Sequence, residues 1–467
     1  MDEIKTASKT EIVDKLHKML TKDLFEKFYP YILDKINGGF LCNLTYDWRF
    51  VPPQDKMIVT QARHVWTPSK AARFFPDDSR YLQAASHGYE FLKNAMWDKE
   101  YGGFYTMRSV TGELSTYRNF FEEKRTYGNA FAIYALAAYY ELTNEKEALD
   151  LAIKGFEWIE KHAYDSVGGG YYQFLTRAGK PYGENEINSS TAYDASEAWY
   201  KDQNSSIHLL EAYTELYNVW KNDLLKTRLT ELLLLIRDTI TSEIGYMNLF
   251  FDHKWNPISF RDATEEVRSK NYGLDHVSFG HDFETAFLML EASYVLGLQN
   301  DSKTLRVAKK MMDHAIKNGY DETVGGFYDG GYYYNGSDKC TIIFEGKKNW
   351  WAQAEGLNSL LMFSRIFPGE TKYYNHFIHQ LDYVDKYLLD HDFGGWFEGG
   401  TDKEPELREG MKGHIWKACY HEGRSIMNCI RMLSDDSYEL TVKKEYKQLK
   451  HETEEFLKHW QQAAKSL

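Results

Sequence analysis

Long apolar runs are missing from this chain. No stretch reaches the about 18 consecutive apolar residues that a membrane-spanning helix requires, which excludes a helical membrane protein. The opening segment, Met1 to Lys22, is charged and amphipathic and lacks the continuous apolar core of a secretory signal, so it reads as part of a first helix. Cysteine is scarce: Cys42, Cys340, Cys419 and Cys429 are spread over 467 residues, with no close pair of the zinc or redox type. Such sparse use fits a reducing compartment, and a cytoplasmic location is expected. Basic residues are outnumbered, 56 Lys and Arg against 69 Asp and Glu, for a formal net charge of -13. That balance argues against a nucleic-acid partner and against an anionic membrane, both of which are held by clustered Lys and Arg.

What the chain has in abundance is aromatic side chains, 16% of all residues, including 12 Trp and 35 Tyr. Aromatic faces stack on the apolar faces of sugar rings, and Tyr hydroxyls and Trp indoles add polar edges. A ring-rich core accounts for much of this content, so it raises the prospect of a small carbohydrate ligand only modestly.

The strongest signal is a repeat of roughly 70 residues. An Asp introduces a Gly pair and an aromatic in Asp34 to Gly38-Gly39-Phe40, Asp98 to Gly102-Gly103-Phe104 and Asp165 to Gly169-Gly170-Tyr171. The same pattern returns in Asp321 to Gly325-Gly326-Phe327 and Asp390 to Gly394-Gly395-Trp396, with a degenerate copy at Ile244-Gly245-Tyr246. Before each turn lies an amphipathic helical pattern, as in Leu149, Ala152, Ile153 and Phe156; after it comes a segment apolar nearly all round, as in Ala130 to Tyr139. Alternating aromatic stretches such as Gly325 to Tyr334 suit short hairpins. Six such units predict an all-α fold, an (α/α)6 barrel of six inner and six outer helices with short β-hairpins in the loops, occupying residues 1–467 as one domain. An open superhelix of helical pairs is the rival. Insertions at Pro181 to Ser196 and Trp255 to Tyr272 are polar and loop-like, and Lys443 to Lys458 reads as a charged helix.

Functional groups recur where each buried helix begins. Gln61-Ala62-Arg63 follows the first turn by about 25 residues, and Thr126-Tyr127-Gly128 stands at the same place in the second repeat. Later repeats place Asn204 with His208, Gly280-His281-Asp282-Phe283-Glu284, Trp350-Trp351-Ala352-Gln353-Ala354-Glu355 and Trp416 to Arg424 at that phase. In a closed ring these groups converge on one end of the cavity. One histidine in an apolar helix is most simply a hydrogen-bonded core residue; His208, His281 and His421 at one phase argue for more. Imidazole titrates near neutrality, so two across a cavity suit proton abstraction beside a carbonyl. A carboxylate such as Glu284 could hold one ring, and Arg63 could stabilise an enolate oxygen or pair with Glu355. Trp66, Trp350, Trp351 and Trp416 are stacking surfaces or wall packing. No short His-Glu-x-x-His spacing marks a metal site.

These segments together resemble the N-acylglucosamine 2-epimerase superfamily, and within it the cellobiose (mannobiose) 2-epimerases, from about Gly38 to Met432. The resemblance implies the (α/α)6 fold, no metal, no redox cofactor and a two-base mechanism. It implies that His208 or His281 helps open the sugar ring and that His421 removes the C2 proton. Arg63 then supports a cis-enediolate, and His281, tuned by Glu284, returns a proton on the other face. Tyr127, Asn204, Trp66, Trp350, Trp351, Glu355 and Trp416 are the expected substrate-binding residues, and a monomer or homodimer the expected assembly. Ser206 and Cys419 depart from the family pattern. Rival readings are an aldose-ketose isomerase, a glycoside hydrolase using Glu284 and Glu355, and a non-catalytic carbohydrate-binding barrel.

Overall fold

Buried and half-solvated helices alternate along the chain. The computed structural model describes residues 8–117, 123–183, 200–298 and 301–434. The half-solvated set is α1 (Lys9–Leu20), α3 (Ser79–Phe91), α5 (Lys146–His162), α7 (Asp223–Leu235), α10 (Ser302–Gly319) and α12 (Thr371–Tyr387). The buried set is α2 (Ile58–Phe74), α4 (Thr126–Thr143), α6 (Gln203–Val219), α9 (Phe279–Val295), α11 (Trp350–Ile366) and α13 (Tyr420–Ser434). In α5 the buried residues Ala148, Leu151, Ala152, Gly155, Phe156 and Ile159 form one stripe; in α4 everything from Thr126 to Tyr139 is buried. A one-sided stripe packs on the core and an all-round apolar surface needs neighbours on every side, so the first set lies outside and the second inside.

Each inner helix packs against the inner helices before and after it, and α13 packs against α2, so the ring closes. α1 packs on α13, which joins the two ends of the described chain. The open superhelix is thereby excluded, and the fold is the (α/α)6 barrel.

One end of the ring is stitched by short antiparallel ladders. The residues leading into one inner helix pair with the segment after the next repeat's glycine turn: Met57 with Met107, Lys124 with Leu175, Lys201 with Phe251, and Val277 with Gly331. Bridges Asn349–Gly399 and Leu44–Gly413 complete the circle. The first helical N–H groups, orphaned in an isolated helix, find their acceptors here. Ile58, Thr126, Gln203 and Trp350 donate to the carbonyls of Thr106, Gln173, Leu249 and Glu398 at 2.9–3.0 Å. The expected hairpin after Gly325 is present, Gly330–Tyr333 pairing with Cys340–Ile342.

The recurring Asp is a frame residue. Asp98 accepts the backbone N–H of Glu100 and Tyr101, and its other oxygen accepts from Lys124 Nζ at 2.9 Å. The same buried latch is Lys56–Asp34, Lys201–Asp165, Lys348–Asp321 and Lys412–Asp390, at 2.6–2.9 Å. Glycine is required at the turn itself: Gly103 has φ +71°, and a Cβ there would sit 2.7 Å from the Trp158 ring. The degenerate copy has no latch, because Ser242 stands for the Asp and Val277 for the Lys.

Part of the polarity at the inner helix starts is also frame. Gln61, Asn129, Asp282 and Gln353, each in the first turn, accept the backbone N–H of Phe40, Phe104, Met247 and Phe327 at 2.7–2.9 Å. The insertion expected as a loop at Trp255 to Tyr272 runs into a helix, α8 (Glu265–Asp275). It is polar on nearly all sides and gains support from Glu265–Arg268 and Glu266–Lys270 pairs at helical spacing. Most of Pro181 to Ser196, and all of Lys443 to Lys458, lie outside the described residues.

Candidate active site

Two turns of inner helix below the ladders, the cavity wall is charged. Arg63 of α2 is 5% exposed and donates from Nη1 to the Trp416 carbonyl at 2.8 Å and from Nη2 to the Tyr127 hydroxyl at 3.1 Å. Its guanidinium lies over the Phe131 ring, 4.6 Å from the centroid, and over Tyr420 at 5.1 Å. None of its bonds goes to a carboxylate, so the expected ion pair with Glu355 is not formed. Burying a cation without a direct ion pair is costly, and the carboxylate of buried Glu422 acts on Arg63 only through space.

The three histidines share one device: each is held by Nδ1 and leaves Nε2 unbonded. His208 Nδ1 is 2.8 Å from Glu211 Oε2, and His421 Nδ1 is 2.7 Å from Glu355 Oε1. His281 Nδ1 is 2.9 Å from Ser278 Oγ and 3.4 Å from Gln203 Nε2. His281 and His421 flank one indole, Trp351, with ring centroids 4.6 and 5.8 Å from it. His208 lies edge-on to Tyr127 at 5.1 Å, and Tyr127 in turn is 6.4 Å from Trp416.

Below the histidines, Arg424 of α13 binds three carboxylates. Nη1 donates to Glu211 and, at 2.6 Å, to the Tyr420 hydroxyl; Nη2 donates to Glu284 Oε1 at 2.5 Å and to Glu355 Oε1 at 2.7 Å. Glu284 therefore serves the His421 side, 3.9 Å from its Nδ1, and not His281 as the sequence suggested. The reason is depth: Glu284 lies on α9 one turn beyond His281, level with Arg424. Glu284, Glu355 and His421 offer ligand atoms within 4.8 Å of one another, a spacing that could hold a metal ion. The guanidinium already bonds both carboxylates there, so the donor set suits Arg424 better than a divalent cation.

Electrostatics sort these groups. Burial, the charges of Arg63 and Arg424 and the other histidines push His421 well below the ordinary imidazole range. Burial, with His208 and His276, takes His281 down to about 3. Burial lifts the Glu355 carboxyl well above its usual range, Arg424 opposing and Glu284 adding. Glu211 resists burial and stays at about 2 because Arg424 and His208 hold its charge.

A lobe of about 730 Å³ opens beside His281 and Trp351 and runs outward to Phe344 and Lys347. A smaller one of about 110 Å³ lies between Tyr127 and Trp416, and Asn204 lines both. The buried carbonyl oxygens of the Gln203 and Asn204 side chains have no hydrogen-bond partner. Buried acceptors are normally satisfied, and the hydroxyls of a sugar would satisfy these.

Of the residues singled out in the sequence, Arg63, Tyr127, Asn204, His208, His281, Glu284, Trp351, Glu355, Trp416 and His421 meet here. Two do not. Trp66 stacks on Tyr134 one turn deeper, centroids 5.0 Å apart. Trp350 packs on His414 at 6.0 Å and under Lys417 at 5.2 Å; successive helical residues point about 100° apart, so only its neighbour Trp351 faces the axis. Glu355 is fully buried and backs His421 instead of lining the cleft. Glu211 and Ser278 were missed. Both stand three residues from a histidine on the same helix or its lead-in, a spacing that could have found them.

Fold and cavity together define a carbohydrate epimerase on a helical barrel. The chain belongs to the N-acylglucosamine 2-epimerase (GlcNAc 2-epimerase) family, whose model matches residues 38–422. It is 30% identical over 426 residues to a cellobiose 2-epimerase of Bacteroides fragilis, covering 90% of this chain and 99% of that one. Likewise it is 31% identical over 427 residues to one from Ruminococcus albus, covering 90% and 98%. The structure of a cellobiose 2-epimerase from Spirochaeta thermophila aligns with TM-score 0.74 at 28% identity, covering 91% of this chain and 97% of that one. No helix among the described residues is long and apolar enough to cross a membrane.

Proposed function

We propose that the protein is a sugar 2-epimerase acting on the open-chain form of a reducing sugar, with His281 and His421 as its two bases. The observation that carries this reading is the set of Nε2 atoms left open, among the described residues, near a buried Arg63 whose hydrogen bonds go to a carbonyl and a hydroxyl. A base must be unprotonated and within reach of the hydrogen it takes, and burial with the charges of Arg63 and Arg424 favours that form of His421. His421 Nε2 removes the C2 hydrogen while Nδ1 stays hydrogen-bonded to Glu355, and the positive charge that this buried pair gains is matched by the negative charge of the enediolate beside it. The negative charge that develops at O1 is stabilised by Arg63, preorganised by Tyr127 and the Trp416 carbonyl. His281, charged with a proton from water in the lobe it lines, delivers that proton to the opposite face of C2 and completes the inversion. His208, held by Glu211, is placed to assist ring opening.

The relatives named as cellobiose 2-epimerases and the length of the 730 Å³ lobe favour a disaccharide with its reducing sugar on Trp351 and its second ring toward Phe344. Incubation with cellobiose in heavy water, followed by NMR, tests this: deuterium should enter C2 as the C2 epimer forms. Epimer formation without deuterium at C2, or turnover of N-acetylglucosamine but not of cellobiose, would overturn the mechanism or the substrate respectively.

A further inference from the structure

The two bases of the proposed reaction differ in what lies behind them. His421 is 5% exposed, and its Nδ1 partner Glu355 and its neighbour Tyr420 are fully buried. Its Nε2 has no hydrogen-bond partner among the described residues, and a sugar seated on Trp351, 5.8 Å away, would cover it. The closed side holds no water-facing group to which a proton could pass: Glu355 is backed by Arg424, and Arg424 by Glu211 and Glu284, all buried. His281 is half-buried and lines the 730 Å³ lobe. Its Nδ1 rests on a hydroxyl and an amide, not a carboxylate. A water occupies about 30 Å³, so a lobe of about 730 Å³ has room for water beside His281 along with the two rings of a disaccharide.

Resting on the two-histidine reading, we propose that His421 keeps the hydrogen it takes and returns it to the same sugar, whereas His281 exchanges its hydrogen with water before returning it. One epimer therefore reacts with internal return and the other with washout. The bookkeeping closes without a further reactant. The C2–H bond breaks, its electron pair enters the enediolate, and the proton forms the Nε2–H bond while Nδ1 stays hydrogen-bonded to Glu355. Return to C2 restores the substrate. Return to C1, with the O2 proton moving to O1, gives a ketose that carries the substrate's own hydrogen. Imidazole nitrogen holds one such hydrogen at a time, so the label is not diluted on the base. The structure thus assigns a C2-to-C1 hydrogen transfer to the His421 side alone.

The test uses cellobiose deuterated at C2 and, separately, its C2 epimer deuterated at C2, each in ordinary water with the intact protein. Label is read by NMR and mass spectrometry early in the reaction. The expected result is asymmetry: from one epimer the residual sugar keeps its label and any ketose carries it at C1, while from the other the label passes to water. His281→Asn, which leaves His421 alone, should preserve label in residual sugar and ketose; His421→Asn should lose it from both. Equal washout from the two epimers, whether complete or nil, would overturn the proposal while leaving the epimerase reading intact. Absence of epimerisation in the wild-type protein would overturn both.

Discussion

The two walls that carry His281 and His421 are built on opposite plans. The His421 wall belongs to a latched repeat, with Lys412 on Asp390 at 2.6 Å, and its imidazole is backed by Glu355, Arg424, Glu284 and Glu211. The His281 wall belongs to the degenerate repeat, where Ser242 and Val277 replace the latch pair and the imidazole rests on Ser278 and Gln203. One base is set in a rigid, charged, sealed frame and the other in a neutral, open one. The difference teaches that the repeat does two jobs at one sequence phase. It fixes the ring, and where a copy gives up the fixing pair it opens room for ligand.

Breaking the charged wall should have the largest effect. Arg424→Met leaves three buried carboxylates without their shared cation and should destabilise the fold by about 3–5 kcal/mol, read by denaturant unfolding; Ser278→Ala on the other wall should cost about 1 kcal/mol. Next, Lys412→Met strands the buried Asp390 and should cost about 3 kcal/mol, whereas Ser242→Ala should fall within about 0.5 kcal/mol. The same latch sets an acid limit. Against the pull of burial, Lys412 and the Phe393 N–H hold the Asp390 carboxyl below its ordinary range. Its contribution is complete above the unfolded value of about 3.9 and is lost as pH falls toward the depressed folded value; in Lys412→Met the loss should begin at higher pH. On activity, Glu355→Gln should lower kcat by about 100-fold, because the amide can accept from Nδ1 but cannot stabilise the imidazolium that forms, and Ser278→Ala by less than about 10-fold. Overnight chelation should leave turnover unchanged, since Arg424 supplies the charge that an ion would bring; loss restored by zinc would count against that assignment.

Much of this was legible in the sequence because the period is strict. The Asp-to-Gly-Gly turns at Asp34, Asp98, Asp165, Asp321 and Asp390, with the degenerate copy at Gly245, predict six helix pairs, and the buried runs such as Ala130 to Tyr139 predict which helices lie inside. Phase alone also gathered Arg63, His208, His281 and His421. What it could not separate was frame from site. Gln61, Asn129 and Gln353 recur at the same phase as the histidines yet hold glycine turns, because both duties use polar side chains in the first turns of inner helices. Depth was the second blind spot: Glu284 and Trp66 share a face with site residues but lie a turn further in, and only closure of the ring shows that Glu284 meets Arg424. The latch lysines went unread, since Lys56, Lys124 and Lys201 stand about 22–36 residues from their partners, beyond any local spacing rule.

The central claim is that two imidazoles on opposing walls serve the same sugar carbon from opposite faces. It is tested most directly with His281→Ala and His421→Ala, each incubated in heavy water with cellobiose and with its C2 epimer. The account predicts that neither variant interconverts the epimers, that His421→Ala still exchanges the C2 hydrogen of one epimer with solvent through His281, and that His281→Ala exchanges neither. Interconversion at an undiminished rate by either variant, or exchange of the same epimer by both, would contradict it.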